Sequence, residues 1–199
     1  MKIIVIGASG TIGREVVEAL KPRHEVLEAS RNGTYKVDIR DEGSVRALFA
    51  SIPEVDGLVC CAGGGAWKPL AELTTEDFAM SLGYKLMGQV AVVRAALANL
   101  RDHGSVTVTS GVLANKPMPG SAAISMINCG LEGFVRAAAL EAPRGIRVNV
   151  VSPPWAKETL QMRGMPTNMG LSAADIAKAY VAAVEGKHNG ETLEPENLT

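Results

Sequence analysis

The sequence predicts an α/β protein of three layers, in which helices cover both faces of a doubly wound parallel sheet. Strand-like apolar segments alternate with helix-like segments along the whole chain. Segment 55–62 is almost continuously apolar, which is typical of a parallel strand buried on both faces. The first strand-like segment, 2–6, joins the first helix-like segment through a turn with a glycine at every third position.

The composition is that of one ordinary globular domain spanning residues 1–199. The chain is 47% hydrophobic and 21% charged, and its net charge is −1. That charge supplies no field to attract nucleic acid or an anionic membrane, and no apolar run reaches membrane-spanning length. We therefore expect a small-molecule substrate, with neither a nucleic-acid nor a membrane partner.

The cysteines and histidines indicate the redox compartment of the protein and whether it binds a metal. Three cysteines are an odd number, and the adjacent pair Cys60 and Cys61 falls in an apolar segment. Free, buried thiols in a reducing cytoplasm are the simplest account. The three histidines are scattered and no metal-ligand spacing occurs. No signal-peptide pattern opens the chain, so we expect a cytoplasmic protein without a metal.

The first half of the chain alternates strands with short helices. Runs of apolar residues predict the strands, apolar residues at helical spacing predict the helices, and prolines end the helices. The elements so predicted are strand 2–6, helix 10–20, strand 24–29, strand 35–39, helix 42–51 and strand 55–62.

The second half begins with an N-cap signature at Thr74 and Asp77. Pro143 and Gly145 end one of its later helices, and Ser172 caps the last helix. The elements so predicted are helix 74–101, strand 105–110, helix 121–142, strand 146–151, helix 172–186 and strand 191–193. Segment 153–170, with Trp155 and several methionines, is predicted to be irregular. It forms either a flexible apolar lid over a substrate, with Trp67 lining the same cleft, or an ordinary packed loop.

The first turn has the layout of a pyrophosphate site. Gly7 allows a tight turn out of the strand, Gly10 lets the backbone approach a phosphate, and Gly13 lets the helix pack closely on the sheet. The free N–H groups and the positive dipole end of the helix then face the anion. The alternative is an ordinary strand-to-helix turn. The predicted phosphate-binding residues are Gly7, Ser9, Gly10, Thr11, Ile12 and Gly13.

The end of the second strand indicates which nucleotide is bound. NAD sites place an acid there for the ribose 2′-hydroxyl, whereas NADP sites supply an arginine for the 2′-phosphate. Here Arg31 stands at the tip, with Ser30 and Asn32 as added donors, and Glu28 lies too early to compete. This favours NADP(H) over NAD(H). The alternative is a solvent-exposed turn arginine.

Further motifs follow in an order that is similar to one known family. The motifs are Gly7 to Gly13, Asp38-Ile39, Cys60-Cys61-Ala62-Gly63, Lys85-Leu86-Met87-Gly88, Thr109-Ser110-Gly111, Arg147-Val148-Asn149 with Pro153-Pro154, and Gly190 to Leu193. On these motifs the chain resembles the short-chain dehydrogenase/reductase family over almost its whole length. The resemblance implies a Rossmann-type NAD(P)-binding fold and an oxidoreductase that acts on a small carbonyl or alcohol. It also implies a homodimer or homotetramer.

The resemblance assigns further site residues. It implies that Asp38 and Ile39 contact the adenine and that Ser110 is the catalytic serine, with Thr109 and Gly111 as neighbouring candidates for that position. The other cofactor-contacting residues that it implies are Cys61, Ala62, Gly63, Lys85 and Pro153.

The chain departs from the family where the chemistry takes place. The family uses a Tyr-x-x-x-Lys pair on the helix after strand five, and those positions align with Ile124 and Asn128. An isoleucine cannot donate a proton to a carbonyl. Where the family has an asparagine, however, this chain has Lys85, so the lysine and asparagine look exchanged. Either Lys85 binds the cofactor ribose or polarises an oxygen, or it is a solvated or carbonyl-capping lysine without a special role.

Two functions therefore remain open. The first is an NADP(H)-dependent oxidoreductase with a non-standard active site that uses Ser110 and Lys85. The second is a catalytically silent NADP(H)-binding sensor or regulator of the same fold. An intact turn and Arg31 support cofactor binding in both cases, whereas the missing tyrosine favours the second.

Overall fold

Seven parallel strands form the central sheet of the computed structural model, which describes residues 1–197. The strands of the chain are β1 Lys2–Ile6, β2 Glu25–Ser30, β3 Tyr35–Lys36, β4 Val55–Cys60, β5 Leu100–Thr109, β6 Arg147–Val151, β7 Trp155–Ala156, β8 Gly170–Leu171 and β9 Thr192–Leu193. The sheet has the order β3-β2-β1-β4-β5-β6-β9. The order reverses between β1 and β4, the place where this kind of sheet opens a ligand crevice.

Helices cover both faces of the sheet and confirm the three-layer prediction. They are α1 Thr11–Leu20, α2 Glu42–Ser51, α3 Thr75–Ser81, α4 Gly88–Asn99, α5 Ala122–Glu141, α6 Lys157–Met162 and α7 Ala173–Glu185. Alternate residues of β1 serve the two layers: Ile4 packs into a core with α2, α4 and α5, whereas Ile3 packs into a core with α1 and α7. A strand buried on both faces needs this continuous apolar sequence.

The predicted helix 74–101 is wrong as one uniform element. The Thr74 cap is confirmed by a capping box with Asp77, but α3 and α4 are separated by a π-helical turn, Leu82–Met87. The N–H of Gly88 donates to the carbonyl of Gly83, five residues back. A π-helical turn contains one extra residue, which changes the direction of the side chains that follow. Such turns are common at functional sites. Here the turn carries Lys85.

Other elements also differ from the sequence prediction. β5 begins at Leu100 rather than at residue 105, and β3 ends at Lys36 rather than at residue 39. Segment 153–170 is not wholly irregular, because β7 and β8 pair as a two-stranded parallel sheet and α6 lies between them. Backbone pairing over two residues leaves no hydrophobic period long enough to be read from the sequence.

Within residues 1–197, α5 is the one helix that is long and apolar enough to cross a membrane by length and composition. This corrects the expectation that no segment reaches that length. A core helix passes the same test, and Leu131 and Val135 of α5 are fully buried in the core beside the sheet. The described residues contain no cluster of metal-binding side chains, and the three cysteines are free.

Candidate functional site

The turn between β1 and α1 has the close packing that its three glycines predict. A Cβ atom on Gly13 would lie 2.1 Å from the carbonyl oxygen of Gly7, and one on Gly7 would lie 2.9 Å from the amide nitrogen of Ala62. Gly7 has a φ of +84°, which favours glycine. No side chain within residues 1–197 caps the N-terminus of α1 at Gly10. Backbone donors at this helix end therefore remain available for an anion.

The turn borders a cavity of about 240 Å³ at the carboxyl ends of the strands, which we term the nucleotide cavity. Its lining brings together most of the residues predicted to contact the cofactor. These are Gly7, Ser9, Gly10, Ser30, Arg31, Asp38, Ile39, Cys61, Ala62 and Gly63. Tyr84, which the sequence suggests to be a core or interface residue, also lines it and packs against the core. Thr11 and Gly13 lie behind this lining, in the first turn of α1.

Arg31, Ser30 and Asn32 also line an adjoining outer cavity of about 750 Å³. Arg31 is exposed, with its guanidinium free to meet an anion there. The sequence reading missed Arg14, which follows Gly13 on α1 and lines the same outer cavity. Glu28 borders it as well, and its carboxylate pairs with Lys21 at 3.1 Å.

Asp38 is held by local contacts at the rim of the nucleotide cavity. Its backbone N–H donates to the Ser44 hydroxyl at 3.0 Å, and its carboxylate accepts from the Arg40 guanidinium. The hydrogen bonds from the Arg40 guanidinium lower the pKa of Asp38 to about 2, so the carboxylate is charged at neutral pH. The Arg40 guanidinium also lies 5.6 Å from the centre of the Tyr84 ring.

A second cavity of about 250 Å³ continues from the first, and we term it the reaction cavity. The two cavities share Cys61 and Gly63, so they form one cleft. Its lining mixes polar groups with an apolar wall: Ile12, Lys85, Thr109, Ser110, Gly111, Val112, Leu113, Ile124, Asn128, Pro153, Pro154, Trp155, Ala156 and Thr159. Ile12, Lys85 and Pro153, predicted to contact the cofactor, thus share this cavity with Ser110, the predicted catalytic serine.

Lys85 is the cation of the reaction cavity. Its Nζ donates to the backbone carbonyl of Ser110 at 2.6 Å and to Oδ1 of Asn128 at 2.7 Å. Asn128 in turn donates through Nδ2 to the carbonyl of Gly111 at 3.2 Å. An ammonium has three N–H donors, and these two contacts use two of them. The lysine and asparagine that looked exchanged in the sequence are therefore direct hydrogen-bond partners.

The backbone opposite Lys85 leaves room for its side chain. Gly63 has a φ of +139°, and a Cβ atom there would lie 2.8 Å from Cγ of Lys85. Burial lowers the pKa of Lys85 to about 8, because a low-dielectric setting disfavours the charged form. An ammonium with this pKa is a stronger acid than an ordinary lysine.

Ser110 has a different contact from the one that the family resemblance implies. The side chain is 3% exposed, and its hydroxyl donates to Oε1 of Glu132 at 2.8 Å. What Ser110 offers Lys85 is its backbone carbonyl. The next residue, Gly111, one of the alternative candidates, lines the reaction cavity without a side chain. Glu132 was missed at the sequence level, because an acid on an amphipathic helix reads as a solvated residue.

The end of β5 is held rigidly beneath these groups. Nε2 of Gln89 donates to the carbonyl of Thr109 at 2.9 Å, and the N–H of Thr109 donates to Oε1 of Gln89 at 2.8 Å. The Thr109 hydroxyl also contacts the carbonyl of Cys60 at 2.7 Å and the Tyr180 hydroxyl at 2.8 Å. Burial raises the pKa of Cys60 to about 12, so this cysteine is a thiol rather than a nucleophile.

Two tryptophans close the far side of the cleft. Trp155 lines the reaction cavity, and the Trp67 ring packs against it edge-on with centroids 5.5 Å apart. The Arg163 guanidinium lies 5.6 Å from the Trp155 ring centre. The methionines of the predicted lid do not line this cavity, and Met162 is 72% exposed.

Comparison with known proteins agrees with this geometry. A family model described as Enoyl-(Acyl carrier protein) reductase matches residues 6–189. The chain is 30% identical to a 3-oxoacyl-(acyl-carrier-protein) reductase of Rattus norvegicus, over 92% of this chain and 91% of that protein. It is 29% identical to a carbonyl reductase family member 4 of Danio rerio, over 93% of this chain and 91% of that protein.

Solved structures give the same result. The protein lin1944 of Listeria innocua is 36% identical and superposes with a TM-score of 0.93, covering 98% of both chains. A small-chain dehydrogenase crystallised with NADPH is 26% identical and superposes with a TM-score of 0.87, covering 98% of this chain and 95% of that one. The chain therefore belongs to the short-chain dehydrogenase/reductase family of oxidoreductases.

Proposed function

We propose that the protein is an NADP(H)-dependent oxidoreductase that acts on a small carbonyl or alcohol and uses Lys85 where relatives use a tyrosine and a lysine. The observation that carries the proposal is the Lys85 ammonium, held by Ser110 and Asn128 in a cavity continuous with the nucleotide cavity. A cation fixed at the reacting end of a cofactor cleft can stabilise the oxygen of a carbonyl as charge develops on it.

The residues of the cleft fit a dinucleotide phosphate. The packed glycines leave a cradle that a Cβ atom would fill, and the uncapped N-terminus of α1 borders it. Arg31 offers a planar donor fork for a 2′-phosphate, with Ser30 and Asn32 beside it. No acid occupies the tip of β2, which supports NADP(H) over NAD(H).

Bound NADPH would supply a hydride to the carbonyl carbon. The groups of this chain then act on the oxygen: the Lys85 N–H that is not used by Ser110 or Asn128 donates to it, and the proton follows to complete the alcohol. The Lys85 amine regains a proton from water. Ile124, Val112 and Leu113 form an apolar wall of the same cavity.

A second candidate function is a sensor that binds NADP(H) without turnover. Ile124 favours it, because an aliphatic side chain lines the reaction cavity at the position that we align with the catalytic tyrosine of the family. The first function is favoured by the relatives described above, which are reductases.

Two measurements on the purified protein separate these functions. Fluorescence titration gives the affinity for NADPH and NADH, and NADPH oxidation is followed with a panel of quinones, aldehydes and ketones. Oxidation that depends on one carbonyl class and is abolished in Lys85→Met supports the oxidoreductase. Tight NADPH binding with no turnover across the panel supports the sensor, and tighter binding of NADH contradicts the cofactor assignment.

We also propose that two copies of the chain pair through the side of α3, the π-helical turn and α5. Met80, Met87 and Met126 leave between 40% and 52% of their surfaces exposed on these neighbouring elements. Apolar side chains gathered on adjacent helices are typical of an interface. Sedimentation velocity is expected to give a dimer or tetramer, and a clean monomer contradicts the proposal.

A further inference from the structure

A buried carboxylate lies behind the reaction cavity and is not used by the chemistry proposed above. Glu132, on α5, is 5% exposed. A carboxylate rarely stays buried unless a positive charge or several donors compensate it. The hydrogen bond in which it takes part comes from the Ser110 hydroxyl, at 2.8 Å. That neutral donor alone does not compensate a full negative charge, so a cation nearby is needed.

Lys85 is that cation, and Ser110 lies between the two. The backbone carbonyl of Ser110 accepts from Nζ of Lys85 at 2.6 Å, while the side chain of the same residue donates to Glu132. Asn128 and Glu132 are four residues apart on α5 and so lie on the same face of the helix. That face therefore presents Asn128, which binds the ammonium directly, and Glu132, which faces the ammonium across Ser110.

The other groups around Lys85 do not supply a negative charge. The groups that act on its charge are Cys60, on β4, and Glu132, on α5. Cys60 is a thiol, because burial raises its pKa to about 12. On the same π-helical turn, the neighbouring side chain of Tyr84 carries a phenol rather than a carboxylate. From the end of β5 the ammonium meets the carbonyl of Ser110, and from α5 it meets the amide of Asn128.

We propose that Glu132 is the positioning residue of the site: its carboxylate is the counter-charge of the Lys85 ammonium and, through Ser110, fixes the carbonyl that binds Nζ. Ser110 then acts as the link between the buried Glu132 and the half-buried Lys85 rather than as a donor to substrate. The proposal rests on the proposed role of Lys85 only for its consequence in catalysis. The charge pairing itself is a property of the folded chain and can be measured without turnover.

The test is a titration of Lys85 in the protein without added nucleotide. Lysine labelled with ¹³C at Cε and ¹⁵N at Nζ reports protonation by NMR, and the Lys85 signal is identified by its loss in Lys85→Arg. Glu132→Gln keeps the size of the side chain and its hydrogen-bond acceptor but removes the charge. It is expected to lower the titration midpoint of Lys85 by roughly one pH unit, since a nearby opposite charge favours the ammonium.

Glu141→Gln is the matched control, because Glu141 is an exposed acid at the end of the same helix. It is expected to leave the midpoint of Lys85 unchanged. If Glu132→Gln does not fold, Glu132→Asp is used instead, because it keeps the charge but shortens the side chain. The proposal then requires a change in the titration midpoint of Lys85, or a change in its NMR signal through a weaker contact between Ser110 and the carboxylate. A midpoint and signal of Lys85 that are the same in wild type and in the Glu132 variant overturn the proposal.

A second measurement separates this proposal from the proposed function. If NADPH oxidation occurs, Glu132→Gln is expected to move the alkaline limb of its pH profile to lower pH by the same amount as the NMR midpoint. If no carbonyl is reduced, the proposed oxidoreductase function fails, and the NMR titration still decides whether Glu132 is the counter-charge of Lys85. Movement of the pH profile without movement of the NMR midpoint contradicts the assignment.

Discussion

The two cavities of the cleft keep the pattern of the family to different degrees. The nucleotide cavity brings together the glycine turn, Arg31 at the tip of β2 and Asp38 after β3, all predicted from the sequence to contact the cofactor. In the reaction cavity, Ile124, Asn128 and Lys85 stand where the resemblance implies a tyrosine, a lysine and an asparagine. Both cavities share one scaffold, so binding and chemistry can change independently of each other.

The physical reason for this difference lies in what each cavity must do. In the proposed function the nucleotide cavity has to bind a fixed polyanion through backbone N–H groups, and a Cβ atom at Gly7 or Gly13 would displace that backbone. The reaction cavity needs only a donor at a given point in space. An ammonium that reaches this point from the π-helical turn, and is held by Ser110 and Asn128, can replace one that reaches it from α5.

The largest expected effect comes from removing the cation of the reaction cavity. Lys85→Met keeps the length and apolar stem of the side chain but has no donor. We expect kcat/KM for carbonyl reduction to fall by about 10²–10⁴-fold, the range that a positioned acid contributes. The affinity for NADPH should change far less, which is measured by fluorescence titration beside the steady-state assay.

Lys187→Met is the control for this change, since Lys187 is exposed and lies outside both cavities. Its kinetics should match those of wild type. Turnover by Lys85→Met at the wild-type rate would falsify the role of Lys85 in chemistry. A large loss of NADPH affinity in Lys85→Met would instead assign Lys85 to the cofactor ribose. Lys85 would then serve cofactor binding rather than the reaction.

The next effect concerns the glycine turn. Gly13→Ala places a Cβ atom 2.1 Å from the carbonyl oxygen of Gly7, which is backbone and cannot rotate away. We expect a loss of about 1–3 kcal/mol in the free energy of unfolding, typical of overpacking, and a marked loss of NADPH binding. Urea unfolding and fluorescence titration measure the two quantities.

Gly83→Ala is the matched control, because a Cβ atom there meets no other group within 4 Å. Gly83 lies in a helical turn, so alanine should be neutral or stabilising by up to about 1 kcal/mol. Equal behaviour of the two variants would mean that the turn tolerates a shift of its backbone. The close packing of Gly13 would then not be what limits cofactor binding.

A smaller effect is expected at the tip of β2. Arg31→Ala should weaken NADPH binding by about 10–100-fold, the value of roughly 1.5–3 kcal/mol that a hydrogen bond to a charged group contributes. NADH binding should be unchanged, since NADH has no 2′-phosphate. Arg46→Ala, at an exposed arginine of α2 outside the cleft, is the control. An equal loss for both nucleotides would contradict the assignment of Arg31 to the 2′-phosphate.

The fold and the nucleotide cavity could be predicted from local signals. Apolar continuity predicted β1 and β4, and the glycine spacing with Arg31 predicted the phosphate side. These features are local because backbone turns and helix ends are specified by neighbouring residues. The alignment of motifs suggested the exchange of Lys85 and Asn128. Their contact, however, depends on a π-helical turn, which no hydrophobic period in the sequence predicts.

Long-range contacts explain what the sequence did not reveal. Glu132 reads as a solvated helix residue until Ser110, 22 positions away, is seen to donate to it. Ser110 aligned with a catalytic serine because of its place at the end of β5, whereas the direction of its side chain follows from the packing of α5. Tertiary placement also brings Tyr84 into the nucleotide cavity and Arg14 into the outer cavity.

The smallest expected effect is the pH dependence of stability that Lys85 contributes. Its pKa is about 8 in the folded chain and 10.5 in ordinary surroundings, so between these values the unfolded chain holds a proton that the folded chain has released. The free energy of unfolding therefore rises with pH across this window. Below it both states hold the proton, so the cost of desolvating the ammonium is present in full and does not change with pH. Subtracting the unfolding free energy of Lys85→Met at each pH cancels the titration of Cys60 and Tyr180, whose pKa values burial raises. Urea unfolding from about pH 7.5 to about pH 10 should thus give a wild-type minus Lys85→Met difference that increases with pH. A flat difference would mean that Lys85 keeps its ordinary pKa, and the reaction cavity would then hold a permanently charged anchor instead of an acid.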